Sequence, residues 1–486
     1  MTRTRTGWTL ALVSAALFMV TLDNLVVTTA LPSIRAELGA GIDALEWTVN
    51  AYTLSFAVLL VTGAALGDRF GRRRLFVAGL SLFTLGSAAA ALAPSTGALI
   101  AARAIQGAGA AVVAPLTLTL LSEAFPAGRR GLALGVWSGI SGLGVALGPV
   151  IGGAVVNGIS WHWIFWLNVP VGLVIIPLAM RRLRESYGPS RRLDLPGVAL
   201  ASAGLLSAVY GLVRANALGW TSLTVLGGLA GGVVLLAAFV AWERRTSTPM
   251  LPMRFFRNRG FSATNAVSVA MSFGMFGSIF LLAQFFQTVQ HYSPLGAGLR
   301  TLPWTGMPML VAPAAGILAE RIGARPLMFS GLALQSIALS WLALVLDPAM
   351  PYTAAIGPFV LAGSGMALVF APAASAVLAS VSKQEVGQAS GANNALREVG
   401  GVLGVAVLAT VFSRAGGYAT PAIFVRGLVP AVVVGAAVLG AGALVALLVP
   451  RLRRGAAATQ EGQEGQEGQE GMEAVPVGAE EAVLAA

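Results

Sequence analysis

Two ionisable residues stand where charge is expensive. Asp23 and Arg103 each lie well inside a long apolar run, and an unpaired charge at the centre of a bilayer costs about 2.5–3.5 kcal/mol or more. A carboxylate that can accept a proton, set within reach of a guanidinium that keeps its own, suits proton movement better than bond breaking. Counting at 1.5 Å per residue from the ends of their runs puts both roughly 9–12 Å below the same surface. A salt bridge or a shared water between them is feasible.

A second cluster reads Asp68-Arg69-Phe70-Gly71-Arg72-Arg73-Arg74, one acid against four guanidinium groups at the end of an apolar run. The arginines alone could be orientation signals. The embedded acid and glycine favour a gate: Gly71 permits a tight turn, and Asp68 can cap a helix N-terminus or pair with an arginine of a neighbouring helix. Such a lock forms in one state and breaks in another.

Other chemistries lack their residues. There is no cysteine, hence no thiolate, disulfide or cysteine metal site. The two histidines, His162 and His291, fall in different loops, and no two membrane carboxylates lie close in sequence, which argues against an enzyme. The only lysine is Lys383, and no Gly-x-x-x-x-Gly-Lys-Ser/Thr loop occurs. No cofactor, nucleotide or metal is expected. His162 sits between Trp161 and Trp163; the favoured reading is an interfacial residue in an aromatic belt, the rival a group titrating near neutral pH.

The elements that must position these residues follow from composition. The 486 residues are 56% hydrophobic and 10% charged, with mean hydropathy +0.79, against about a quarter charged in soluble domains. That excludes a soluble globule. Apolar runs long enough for a core of about 30 Å fall near 8–31, 47–66, 75–93, 97–121, 131–155, 161–180, 195–213 and 221–242. Six more fall near 261–286, 300–319, 327–346, 353–379, 393–413 and 427–449, giving fourteen. The first run is too long for a signal-peptide core and is kept as a helix. Alternate loops then carry 24 basic residues on one side and five on the other, which supports the count and predicts cytoplasmic termini. The net charge of +11 reflects this bias and not nucleic-acid binding. Beyond Gly455, Gln-Glu-Gly recurs four times in a segment too polar to fold.

The chain also repeats. Leu66-Gly67-Asp68-Arg69-Phe70-Gly71 aligns with Leu318-Ala319-Glu320-Arg321-Ile322-Gly323 at an offset of 252. Gly107-x-Gly109 aligns with Gly363-x-Gly365, and Gly144-x-x-x-Gly148 with Gly400-x-x-x-Gly404, at 256. Two six-helix halves with an inserted pair result, and such parallel repeats are a transporter signature with the substrate site near the midplane. Asp23 and Arg103 have no charged counterparts in the second half, where Met275 and Phe359 stand. An architectural pair would recur; functional asymmetry is the better reading.

The loop from Asp68 to Arg74 resembles the signature of the major facilitator superfamily, departing only where Ala64 replaces its first glycine. Arg103-Ala104-Ile105-Gln106-Gly107-Ala108-Gly109 resembles that superfamily's helix 4 motif. Gly144-Val145-Ala146-Leu147-Gly148-Pro149-Val150-Ile151-Gly152-Gly153 resembles the helix 5 motif of its proton-driven exporters. With Leu22-Asp23 through Leu31-Pro32 and fourteen helices, the chain is similar, up to about Pro450, to the 14-helix drug:proton antiporters. Asn24 and Leu25 stand where that family more often has small hydroxyls, and His162 where arginine is commoner.

The resemblance implies that the first, fourth, ninth and twelfth of these runs line a cavity, with Asp23 and Arg103 coupling protons. Asp68, Arg69, Gly71, Arg72, Arg73, Glu320 and Arg321 would gate it. Asn24, Gln106, Asn265, Gln284 and Gln287 are candidate substrate contacts, the last two sharing a face at i, i+3. Gly144, Gly148, Gly152 and Gly153 fall on nearly one helical face suited to close packing, and Pro149 should bend the helix. Arg397 and Glu398, placed at the start of the thirteenth run, are assigned a structural or gating duty.

The expectation is an all-α polytopic membrane protein of the major facilitator fold. Residues 1–180 form one six-helix bundle, 181–260 two inserted helices with basic connections, 261–450 the second bundle and 451–486 a disordered acidic tail. It would export lipophilic compounds, cations among them, against protons across the bacterial cytoplasmic membrane, as a monomer. The alternative is a same-fold carrier of a metabolite or lipid, and a remote one is a membrane-embedded enzyme.

Overall fold

In hydrocarbon a backbone N–H finds no water, so each apolar run must close its own hydrogen bonds as a helix. The computed structural model describes residues 3–40, 42–188, 194–247, 249, 251–382 and 385–451, and among them no strand occurs. Arg191, Arg192, Lys383 and the Gln-Glu-Gly tail lie outside the described residues.

The first half contains α1 (Arg3–Leu38), α2 (Ile42–Phe70), α3 (Arg72–Ala91), α4 (Thr96–Ala124), α5 (Ala127–Gly158) and the short α6 (Trp163–Trp166) running on into α7 (Asn168–Arg182). The inserted pair is α8 (Leu195–Leu218) and α9 (Leu223–Glu243). The second half contains α10 (Arg259–Gln284), α11 (Pro294–Thr305), α12 (Met307–Ile322), α13 (Ala324–Val345), α14 (Tyr352–Ala379), α15 (Val386–Ala415) and α16 (Pro421–Ala446). Helices α11 and α12, split at Gly306, together make one crossing. Thirteen described helices are long and apolar enough to span a bilayer, and the bent α5, whose segments meet at 41° between Val145 and Val150, brings the total to fourteen. The missing N–H of Pro149 lies in that break. Four helices that start at the end away from the basic loops, α4, α9, α11 and α16, are capped by Ser95, Ser222, Ser293 and Thr420, whose hydroxyls accept from the first turn.

The sequence repeat recurs as packing. A Cβ on Gly109 of α4 would stand 2.5 Å from Phe83 N on α3, and one on Gly365 of α14 would stand 3.1 Å from Gln335 N on α13. Likewise Gly144 of α5 lies against Phe18 of α1, and Gly400 of α15 against Val269 of α10. Small residues let these backbones approach, which is how helices associate where burying apolar surface gives no drive.

The halves meet along two seams. In the first, Gly131, Gly135, Gly139 and Gly142 of α5 face α12, with Gly135 against Ala312 and Gly139 against Met309. In the second, Gly391 of α15 sits on Ala64 of α2. Helix α8 lies beside this second seam and packs on both partners; Thr62 and Ser202 hydroxyls are 3.3 Å apart, and Trp220 Nε1, in the turn after α8, donates to Thr410 Oγ1 at 2.6 Å. Helix α9 packs on α8 and leaves Leu223, Val233 and Val234 exposed, as a lipid-facing helix should. One expectation needs correction. Gly144, Gly148 and Gly152 do face α1, but Gly153, about 100° further round α5, faces Leu295 of α11 in the other half.

Candidate functional site

Helices α1, α2, α4 and α7 converge on Asp23. Its Oδ2 accepts from Arg103 Nη1 at 2.5 Å, and its Oδ1 accepts from Gln106 Nε2 at 2.8 Å and Asn168 Nδ2 at 2.7 Å. Arg103 also donates through Nε to the Thr48 carbonyl at 3.3 Å and through Nη1 to Gln106 Oε1 at 2.6 Å. Its guanidinium lies 4.2 Å over the Tyr52 ring and 5.7 Å from that of Phe165. Asn168 is itself held by donating to Ser87 Oγ at 3.0 Å. Both charged side chains are wholly buried.

The expected contact between Asp23 and Arg103 is therefore present, but it lies inside the first bundle and not on an open cavity wall. Gln106, a candidate substrate contact, is spent within the pair. Asn24, half-buried one position along α1, does not join it. The aligned positions of the second half, Met275 and Phe359, are buried and apolar. Leaving one member of such a pair without the other costs about 3–5 kcal/mol. Thr48, Tyr52 and Asn168 were not singled out in the sequence; a polar residue at the start of the seventh helix was the only available signal.

At the basic end, Gly71 turns the chain with φ 106°, and Gly323, its repeat partner, does so with φ 89°. Asp68 Oδ1 accepts from Arg72 Nε at 2.8 Å, and Arg72 Nη1 also pairs with Glu123 of α4. The segment after α7 straps this turn: Gly188 N donates to the Asp68 carbonyl at 2.8 Å, and Glu185 Oε1 accepts from Arg73 N at 2.9 Å. Glu185 Oε2 lies 3.5 Å from Arg73 and 3.6 Å from Arg74. Arg69 lies over the Phe70 ring.

The second Asp68 oxygen, Oδ2, is buried without a hydrogen bond, and a Cβ on Gly387 in the first turn of α15 would stand 2.6 Å from it. A carboxylate in the first half thus sits on the positive end of a helix in the second. The repeat does the converse. Glu320 Oε1 of α12 accepts from Gly131 N, the fifth residue of α5, at 2.6 Å, while Arg321 is exposed.

Between the halves lies a cleft walled by Leu118, Trp137, Ser268, Met271, Phe370 and Arg397, closed in this state to narrow crevices of about 10 Å³, the space of roughly one water molecule. Asn265 reaches its edge, accepting from Asn393 Nδ2 at 2.9 Å, and Asn393 also donates to Ser268 at 3.3 Å. Gln284 and Gln287 do not belong to it. A π turn over Phe285–Val289 breaks their common helical face; Gln287 is exposed, and Gln284 accepts from Tyr418 at 2.5 Å. Arg397 was placed at a helix start, yet α15 begins at Val386, which moves it about 16 Å inward to the cleft.

Residues 13–405 match the model of the Major Facilitator Superfamily. The chain belongs to that superfamily. It is 37% identical over 407 residues to the multidrug resistance protein Stp of Mycobacterium tuberculosis, across 83% of this chain and 75% of that protein. It is 35% identical over 412 residues to the tetracenomycin C resistance and export protein of Streptomyces glaucescens, across 84% and 76%. Among solved structures, the human organic anion transporter MFSD10 superposes with a TM-score of 0.65 at 14% identity, covering 92% of this chain and 100% of that one, which shows the shared fold. The chain is a multi-pass membrane transporter of small molecules, and the membrane-enzyme alternative falls with that membership.

Proposed function

We propose that this transporter exports lipophilic drugs or toxic small molecules by alternating access, driven by protons that enter through Asp23. The observation that carries the reading is the wholly buried Asp23–Arg103 pair, tied to four helices of one bundle and without a counterpart in the other. Its relatives carry names of drug and antibiotic resistance and export. The bias of basic residues toward one set of loops supports a reading with both termini in the cytoplasm of a bacterial cell. The halves then divide as residues 1–180 and 261–450, with the inserted pair between.

Protonation of Asp23 would end its ion pair and leave Arg103 seeking another acceptor, so α1 and α4 would lose their strongest tie. The seams at Asp68 and Glu320 would then open or close as the bundles rock. A membrane potential supplies about 2.3 kcal/mol per charge per 100 mV, enough for a concentration ratio of roughly fifty. The test is uptake by energised everted vesicles of a strain lacking its own pumps, with Asp23→Asn beside the parent. Gradient-dependent accumulation should vanish in the variant while facilitated downhill exchange persists. Equal accumulation by both would refute the assignment.

A further inference from the structure

Arg397 takes no part in the coupling pair or in either gate, and its surroundings are unusual for a guanidinium. It lies mid-way along α15, between the two halves, where a charge without a partner is costly. Of its five N–H donors, Nη1 meets Asn394 Oδ1 at 3.5 Å, and Nε is buried with no acceptor among the described residues. Among the described residues no carboxylate lies within ion-pair distance. Glu398, its neighbour in sequence, diverges by about 100° on the helix and makes no ion pair with it, although the two buried charges lie within electrostatic reach of each other. Glu398 lies within electrostatic reach of Tyr52, beside the Asp23–Arg103 pair.

What holds Arg397 is flat and apolar. Its Cζ sits 4.4 Å over the Phe370 ring, which fixes the guanidinium plane. Trp137, held by donating from Nε1 to Thr117 Oγ1 at 3.1 Å, lines the same cleft, and Ser268 with Asn393 adds neutral polar groups. A fixed planar fork with free donors, flanked by aromatic faces, is a receptor for a carboxylate or another acidic oxygen on a flat lipophilic frame.

We propose that Arg397 is the substrate-recognition residue of the central cleft and selects acidic aromatic compounds over cationic ones. This rests on the cleft being the transport site, and it deepens the export reading by naming a substrate class. Desolvation of the cleft strengthens the pairing, since a charge-assisted hydrogen bond there competes with little water. The narrow crevices of this state would widen when the seams part and close again on the bound frame.

The experiment is equilibrium binding to detergent-purified protein, without any gradient, using two acids (fluorescein and nalidixic acid) and two cations (rhodamine 123 and ethidium). Parent protein should bind at least one acid tenfold or more tightly than either cation. Arg397→Gln should weaken that acid at least tenfold while changing the cations by less than threefold. Arg397→Lys should fall between, keeping the charge but losing the fork. A parent that binds neither acid, a parent that prefers the cations, or an Arg397→Gln protein that loses acids and cations equally would each overturn the proposal. Because no proton gradient enters the measurement, failure of proton coupling would leave acid selectivity intact, and failure here would leave gradient-driven transport of other compounds intact.

Discussion

The lock proposed at the basic end can be tested by a single isosteric change, Asp68→Asn. The Asp68–Arg72 bond joins two residues of the first half, so with that half moving as one body its loss cancels when closed and open states are compared. What differs is the contact with α15, where Asp68 Oδ2 stands against the first turn at Gly387. A carboxylate at a helix N-terminus contributes about 0.3–1 kcal/mol when exposed and about 2 kcal/mol when partly buried, and Asp68 is 4% exposed. Taking about 1–2 kcal/mol, neutralising it should raise the open-to-closed ratio at this end by roughly 5–30-fold. The chain has no cysteine, so a single Val61→Cys beside Gly391 reports the seam without background. Its labelling rate by a membrane-impermeant maleimide, applied from the basic side, should rise by that factor in the Asp68→Asn protein. A rate within twofold of the Asp68 parent would refute the lock and reduce the loop to an orientation signal.

Glu320→Gln should show the same effect at the α5 seam, weaker because Glu320 is exposed: about a 2–5-fold rise in labelling of a reporter cysteine on α12. Gly135→Ala should lower the melting temperature in detergent more than Gly139→Ala, since the added methyl would stand 2.5 Å from the Ala312 carbonyl against 3.2 Å from Met309 Cα. Overpacking of the first kind costs about 1–3 kcal/mol. Gly97→Ala, with nothing within 4 Å, should change it little, and equal shifts for all three would contradict the packing argument. Reporter fusions near Arg73 and Arg257 should lie inside and those near Gly219 and His291 outside; a cytoplasmic Gly219 would remove the inserted pair and break the fourteen-span topology.

Much of this was legible in the residues because a bilayer permits few solutions. Apolar length and loop charge alone yield the fourteen crossings and the alternation. The offsets of 252 and 256 between matching glycines reappear as matching helix contacts, because a glycine kept in both halves marks a close approach in both. The Asp23–Arg103 contact was readable for the same reason, since two opposite charges set at one depth in hydrocarbon are each costly alone and relieved by pairing. What failed depended on register. The π turn that parts Gln284 from Gln287 has no sequence signature, and the glycine- and polar-rich start of α15, Val386–Ala392, hid seven residues of helix that carry Arg397 into the cleft. Glu123 and Glu185, which complete the Asp68 network, come from α4 and the strap after α7, and only folding brings them there.

The central claim is that protons pass through Asp23. Purified parent protein in weakly buffered detergent solution, tested across a series of pH values, should exchange protons with the medium when a transported compound is added. The Asp23→Asn protein should give no such signal while still binding the compound. Should that variant melt early because Arg103 is left unpaired, the Asp23→Asn, Arg103→Gln double variant removes both charges and should be equally silent. A proton signal of parental size from either variant would contradict the account and move the coupling acid elsewhere, with Glu398 the next to test.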